Sequence, residues 1–410
     1  MQTRILKVLR QTSDGQVADE ILRKCVHCGF CNYTCPTYLL SGDENEGPRG
    51  RIYLIKQLME GQLDNTPDSG KKTLEHLDHC LLCRSCETTC PSGVEYGKLL
   101  DIGRQLAEQQ ARRDPKEQTM RHSLRKYLPK PQVVGMGVTL GRIFKPLLPK
   151  NLASKVPASP PSVGKWPDPR HARRMLVLEG CAQSTLAPDI NAATARVLDR
   201  LGISLITASK AGCCGAISQH LGAAEEARDY MRRNVDAWWP LLSSQNVEAI
   251  ITTASGCGAT LKDYRHYLRD DPEYSFKAER IAHLSKDIAE IIGQEEYQNL
   301  APKKARRIAW HPPCSLQHGQ KIRGVVENIL TDCGFVLVPV EDEHLCCGSA
   351  GTYSLLQPEI AQQLRLNKLN NLTKHPADCI ATANIGCQTH LQEATSLPVM
   401  HWIHLLDNPN

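Results

Sequence analysis

Two copies of one cysteine pattern constrain this chain more than any other feature. Cys25, Cys28, Cys31 and Cys35, with Pro36 next, read C-x2-C-x2-C-x3-C-P, and Cys80, Cys83, Cys86 and Cys90 before Pro91 repeat the pattern without deviation. Three cysteines two residues apart let a short loop curl round one face of a cubane, and the fourth, before proline, turns outward to the other cluster. The spacing therefore predicts two [4Fe–4S] clusters with crossed ligation. Cluster 1 takes Cys25, Cys28, Cys31 and Cys90; cluster 2 takes Cys80, Cys83, Cys86 and Cys35. Zinc knuckles pair two C-x2-C units and leave the third thiol and the C-x3-C-P tail without a use. The 44 residues between the motifs are too many for a compact β ferredoxin. Ile52, Ile55 and Met59 share one helical face, preceded by Gly47-Pro48 and ended by Gly61, so this region is expected to be an α-helical module. His27, Arg84 and Ser85 lie inside the loops and are expected to be solvated, or else to hydrogen-bond the sulfurs.

The remaining ten of the 18 cysteines lie beyond residue 180. Cys181 precedes Cys213-Cys214-Gly215 by 32 residues, and Cys314 precedes Cys346-Cys347-Gly348 by the same 32. Each pair is followed by what reads as an apolar strand ending in Gly-Cys, from Ala249 to Cys257 and from Cys379 to Cys387. Short apolar strands alternating with amphipathic helices predict α/β units on a largely parallel sheet. The expected fold class is thus α+β multidomain, an α-helical ferredoxin module followed by an α/β domain of two pseudo-symmetric Cys-Cys-Gly repeats. The expected divisions are 1–115 (ferredoxin module), 116–172 (linker), 173–295 (first repeat) and 296–410 (second repeat). In such sheets sites form at the carboxyl edge, which would gather Cys181, Cys213, Cys214 and Cys257, and separately Cys314, Cys346, Cys347 and Cys387. A redox or metal site and a metal-free thiol cluster are both open readings of each set. Cys333 and Cys379 have no counterpart in the other repeat and are expected to be buried thiols.

Between these halves, residues 104–174 hold 16 Lys or Arg against 4 Asp or Glu, and residues 129–169 hold nine prolines. One continuous helix is impossible there, and the stretch is expected to be a linker. Its basic and apolar residues (Val133, Val134, Met136, Val138, Leu140, Ile143, Phe144, Leu147, Leu148) suit an anionic lipid surface. The N-terminus lacks the apolar core of a secretory signal, and a thiol-rich chain without one implies a reducing compartment. The expected location is cytoplasmic, peripheral on the inner face of the cell membrane. A net charge of +5, from 49 basic and 44 acidic side chains, argues against a nucleic-acid partner. No dinucleotide fingerprint, P-loop, G-x-S-x-G or H-E-x-x-H is present, and the two prolines in His311-Pro312-Pro313-Cys314 favour a rigid loop over a Cys–His nucleophile. No catalytic residue is expected in this chain.

The full set of motifs resembles the iron–sulfur subunits of membrane-associated 2-hydroxy acid and glycerol 3-phosphate dehydrogenases, and its strings are most like those of the glycolate oxidase iron–sulfur subunits. The strings include Gly47-Pro48-Arg49-Gly50-Arg51, Gly180-Cys181-Ala182-Gln183, Ala237-Trp238-Trp239-Pro240 and Cys346-Cys347-Gly348-Ser349-Ala350-Gly351. The resemblance implies a complex in which a separate FAD-linked subunit oxidises glycolate to glyoxylate. This chain would pass the electrons toward a membrane acceptor such as quinone, with FAD only in the partner. It also implies likeness to heterodisulfide reductases, whose repeats end in C-x-x-C. Here Thr260 and His390 stand at the last position, which argues against a disulfide-reducing enzyme.

Overall fold

The structure, a computed structural model, describes residues 1–62, 67–111, 113–145, 162–244, 247–302 and 304–407. Among the described residues up to 145 every regular element is helical. The helix Ser13–Lys24 starts where the Thr12 side chain accepts from the Gly15 amide, which satisfies one of the donors a helix start leaves free. Pro48–Met59 opens with proline in its first turn, where no donor is lost. The helices Pro67–Asp78 and Tyr96–Gln110 complete the module. Ile21, Leu22, Ile52, Ile55, Leu58, Met59, Leu77, Leu99 and Leu100 form its core, an aliphatic one. The stripe predicted from Ile52, Ile55 and Met59 is buried as expected.

Gly50 is where this packing is tightest. A Cβ there would stand 2.1 Å from the Glu44 carbonyl oxygen, so any side chain must push the Asp43–Gly47 turn away. That turn also carries Glu46, whose carbonyl oxygen accepts from Thr37 at 2.7 Å beside Cys35. Gly50→Ala should cost about 1–3 kcal/mol. The check is a lowered urea midpoint of the anaerobic protein, followed by its visible sulfur-to-iron absorption.

The expected linker begins with order. Pro115–Tyr127 and Pro131–Ile143 are helices, each opening on a proline. The break between them falls at Pro129, and the stretch is indeed not one helix. The first helix is held to the N-terminal module, with Arg121 pairing Asp78 at 2.7 Å and Arg113 pairing it at 2.6 Å. Leu147 and Leu148, with the prolines from 146 to 161, lie outside the described residues.

From Arg173 on, the described residues form two four-stranded parallel sheets of identical order, β2-β1-β3-β4 and β6-β5-β7-β8. The strands are β1 (Arg173–Val177), β2 (Ile203–Thr207), β3 (Val247–Thr252), β4 (Ser285–Asp287), β5 (Arg307–His311), β6 (Val336–Leu337), β7 (Cys379–Thr382) and β8 (Val399–His401). One shared core joins the sheets, with Met175, Val177 and Ile251 on one side and Ile308, Trp310 and Ala381 on the other. The Ser255 amide donates to the Ala383 carbonyl at 3.2 Å across the join. Two details differ from the sequence expectation. β3 stops at Thr252 and β7 at Thr382, and Cys257 and Cys387 sit in the helices that follow, Ser255–Lys262 and Ile385–Gln392. A short apolar run does not by itself separate strand from helix start.

Candidate metal centres

Each cysteine motif begins just past the end of a helix, Ser13–Lys24 or Pro67–Asp78, and then curls back. Four residues make the curl at positive φ: His27 (57°), Gly29 (86°), Leu82 (51°) and Arg84 (60°). They occupy matching places, two residues after the first cysteine and one after the second. Three of the four are not glycine, so the loops hold backbone strain that the surroundings must impose.

The curls open onto two cavities. Cys25, Cys28, Cys31 and Cys90 line the first, with His27, Arg49 and Tyr96. Cys35, Cys80, Cys83 and Cys86 line the second, with Thr37, Arg51 and Arg84. Cys86 reaches both. The second cavity thus takes three thiols from the second motif and Cys35 from the first, and the first takes three from the first motif with Cys90 and Cys86 from the second. Burial pushes the Cys31 thiol up to about 12 and raises Cys83 and Cys86 well above the usual thiol range. Thiols so crowded and dry stay protonated unless a strong positive charge joins them. Bound iron supplies that charge, so the donor set fits iron–sulfur clusters.

Of the loop residues, Arg84 pairs with Glu87 at 3.1 Å and Asp263 at 2.8 Å, tying the loop to the first repeat. The Ser85 hydroxyl oxygen and His27 Nε2 are buried without a partner. Sequence reasoning missed the charged group that matters most here. Arg51 is wholly buried; it donates from Nε to the His76 carbonyl at 2.7 Å and pairs with Glu46 at 2.7 Å. Its Nη1 lies 3.1 Å from Thr37 Oγ1 and 3.9 Å from Cys35 Sγ. Burial alone would raise the Glu46 carboxyl, but hydrogen bonds from His76 and His79 and the Arg51 charge hold it far below the carboxylate range. The available signal was a charge on an apolar stripe, since Arg51 stands four residues before Ile55 and seven before Leu58.

The Cys-Cys-Gly turns are also paired. Gly215 and Gly348 both sit at φ 92°. A Cβ there would meet the carbonyl oxygens of Ala227 at 2.9 Å and Ala361 at 2.6 Å. Only glycine meets both demands. In the first repeat the side-chain contacts run Cys181 to Cys213 to Cys214 to Cys257, and bonds from Cys213 and Cys257 lower the Cys214 thiol. In the second they run Cys314 to Cys346, 3.8 Å apart, then Cys347 and Cys387. All eight lie past the carboxyl ends of their strands. Cys333 and Cys379 are buried apart from both sets.

The second set holds two further groups. A His311 ring nitrogen, Cys347 Sγ and Cys387 Sγ lie within 4.8 Å of one another. His390 instead faces the Ala361 carbonyl at 3.3 Å. Lys368 is buried, donates to the Asp342 carbonyl at 2.6 Å and interacts electrostatically with Cys347, Cys346 and Cys314. This set also touches the N-terminal module. Cys83, Leu81, Cys346, Tyr353 and Leu364 form one buried cluster against which Cys314 packs. Tyr353 donates to the His79 carbonyl at 3.0 Å.

Two protein families match parts of the chain. The 4Fe-4S dicluster domain family matches residues 21–94. The Cysteine-rich domain family matches twice, over 175–262 and 308–392. The glycolate oxidase iron-sulfur subunit of Escherichia coli is 51% identical over 99% of this chain and 98% of its own length. A probable glycolate oxidase iron-sulfur subunit of Bacillus subtilis is 30% identical over 89% and 87%. One subunit of the fumarate reductase (CoM/CoB) from Methanothermobacter marburgensis is 26% identical over 94% of this chain and 72% of its own.

Proposed function

The chain belongs to the family of glycolate oxidase iron–sulfur subunits, and from that premise we propose that it carries electrons within a complex that oxidises glycolate to glyoxylate. A separate FAD-linked subunit handles the organic acid, and a membrane quinone receives the electrons. The single observation that supports an electron-carrying role is the interleaving of the eight N-terminal cysteines around two neighbouring cavities. When bound there, two [4Fe–4S] clusters supply one-electron chemistry. The chain's own residues hold the thiolates, keep water from the inner set and place Arg51 beside Cys35. The heterodisulfide reductase reading gains no such support, since Thr260 and His390 replace the last thiol of each repeat. The test gives glycolate and a quinone analogue to the isolated chain and to the chain reconstituted with its flavin partner. Turnover is expected only from the pair. Turnover by the isolated chain, or its rapid reduction of a small disulfide, refutes the reading.

A peripheral seat on the inner membrane face belongs to the same proposal. No helix among the described residues is long and apolar enough to cross a membrane. The helix Pro131–Ile143 buries none of its residues, and Met136, Leu140, Ile143 and Phe144 are exposed at its surface. An apolar exposed helix in a basic segment suits an interfacial position. Replacing Met136, Leu140 and Phe144 by serine should move the complex from the membrane fraction to the soluble one. Unchanged sedimentation with membranes would mean that this helix is not the anchor.

A further inference from the structure

The two N-terminal cavities differ in what lies over them. At the second, Cys35, Cys80, Cys83 and Cys86 are all buried, and the C-terminal half of the chain packs against that side. Cys83 shares a buried cluster with Cys346, Tyr353 and Leu364, Arg84 pairs with Asp263, and Thr88 Oγ1 lies 2.8 Å from His318 Nδ1. At the first, Cys28 is exposed, alone among the 18 cysteines. Val26 and Phe30, two residues to either side of it, line the same cavity and are 68% and 57% exposed. Tyr53, edge-on to the His27 ring at 6.2 Å, is exposed as well. The loop that presents this apolar lip is pinned from behind: Gly29 sits at φ 86°, and a Cβ there would stand 2.6 Å from Arg49 Nη1. A surface held in place before it meets a partner loses less freedom on binding.

Exposed apolar side chains gathered round one point mark a contact surface. Here the point is a cysteine of an electron-carrying set, so the occupant must bring a redox group close to that sulfur. The charges beside the lip are already engaged. Lys24 pairs with Glu20 and Glu95, Lys98 with Glu95, and Arg49 with Glu44, while the amino terminus donates to the Cys25 carbonyl at 2.7 Å. Anionic lipid is held by free Lys and Arg, so a membrane gains little at this face. An apolar centre inside a rim of satisfied polar groups is instead the anatomy of a protein–protein contact.

We propose that the lip of Val26, Cys28, Phe30 and Tyr53 is the docking face for the flavin-bearing subunit, and that electrons enter this chain at the Cys28 centre. The inference rests on the electron-carrying role proposed above. Glycolate gives up two electrons and two protons in becoming glyoxylate. The reduced flavin passes the electrons across the lip singly, each transfer oxidising the flavin by one electron and reducing the Cys28 centre by one, and the protons leave the flavin for solvent. The second set, covered by the repeats, lies downstream.

The experiment uses the full-length, cluster-loaded chain under anaerobic conditions, as wild type, Phe30→Glu, Tyr53→Glu and Phe276→Glu. Phe276 is an exposed aromatic on the helix Ser275–Leu284 of the first repeat and serves as the control. Measured are the affinity for the flavin-bearing subunit, the rate at which glycolate reduces the centres through it, reduction by dithionite, and binding to vesicles of phosphatidylcholine and phosphatidylserine. Each lip variant should bind the flavin subunit about 30-fold more weakly, the loss expected of an aromatic anchor at an interface, and be reduced by glycolate correspondingly slowly at a fixed, low partner concentration. Dithionite reduction and vesicle binding should match wild type, and Phe276→Glu should change nothing. Tyr53 lies outside the cysteine loop, so its variant decides alone if Phe30→Glu loses the Cys28 centre. Wild-type affinity and glycolate rate in the deciding variant would overturn the proposal. So would lost vesicle binding with partner affinity intact, which would put lipid on the lip, or normal reduction by glycolate with slowed oxidation by a quinone analogue, which would make the lip the exit. A wild-type pair that binds through the lip, yet whose centres glycolate never reduces, would keep the docking face and overturn the electron-carrying role.

Discussion

Replacing Cys35 by serine should remove the cluster bound by Cys80, Cys83 and Cys86, far along the chain, and leave the one beside it in sequence. About half of the iron of the N-terminal module should be lost, since each of two cubanes has four irons. The reason lies in the second cavity, where Cys35 meets the thiols of the other motif, while Cys25, Cys28 and Cys31 face Cys90. Serine keeps the shape but is a poor ligand for iron, because soft thiolate is what the cluster selects. Cys90→Ser should give the mirror result. Iron analysis with electron paramagnetic resonance of the reduced proteins separates the two cases. Damage in Cys35→Ser confined to the Cys25 set would refute the crossed assignment.

Arg51→Met should be nearly as severe, though no ligand is touched. The guanidinium is buried and engages Glu46, the His76 carbonyl and Thr37 together. Methionine fills much of the space but leaves the Glu46 carboxylate with only His76 and His79 at 2.7 and 2.8 Å. Breaking a buried pair by removing one partner costs about 3–5 kcal/mol. Removing a positive charge beside Cys35 also disfavours adding an electron to the neighbouring centre, so its midpoint potential should fall. A denaturant titration reads the first effect and a redox titration the second. Arg51→Lys should restore part of the potential, because the charge returns, and less of the stability, because the fork of hydrogen bonds does not.

The parts of the fold legible in the sequence are those with a strong period. Ile52, Ile55 and Met59 mark a buried helical face, and Met175–Val177 and Ile308–Trp310 mark inner strands. The cysteines mark the metal-binding loops through spacing alone. Less visible are β4 and β8, three residues each, Ser-Lys-Asp and Val-Met-His, because an outer strand so short has no pattern to read. The helices Pro115–Tyr127 and Pro131–Ile143 are hidden by their prolines, which mark helix starts as well as breaks. His311 reads in sequence only as part of a stiff loop. Its approach to Cys347 and Cys387 depends on strands β5 and β7 lying side by side in register, His311 opposite Thr382, and no local motif encodes that adjacency.

The interleaved cysteines also carry a consequence for how the protein is made. During synthesis the chain emerges from its N-terminus, and neither set of four can close early. The first motif is finished at Cys35, yet the set it begins waits for Cys90, and Cys35 itself waits for Cys80, Cys83 and Cys86. A nascent chain released anywhere before the second motif would display four reactive thiols with no complete coordination sphere. With the crossed ligation proposed here, loading would be postponed until both motifs have been translated, and the two centres would become a single assembly event. A truncated product could not retain one centre as a working fragment, so quality control of this chain comes down to whether its metal has arrived.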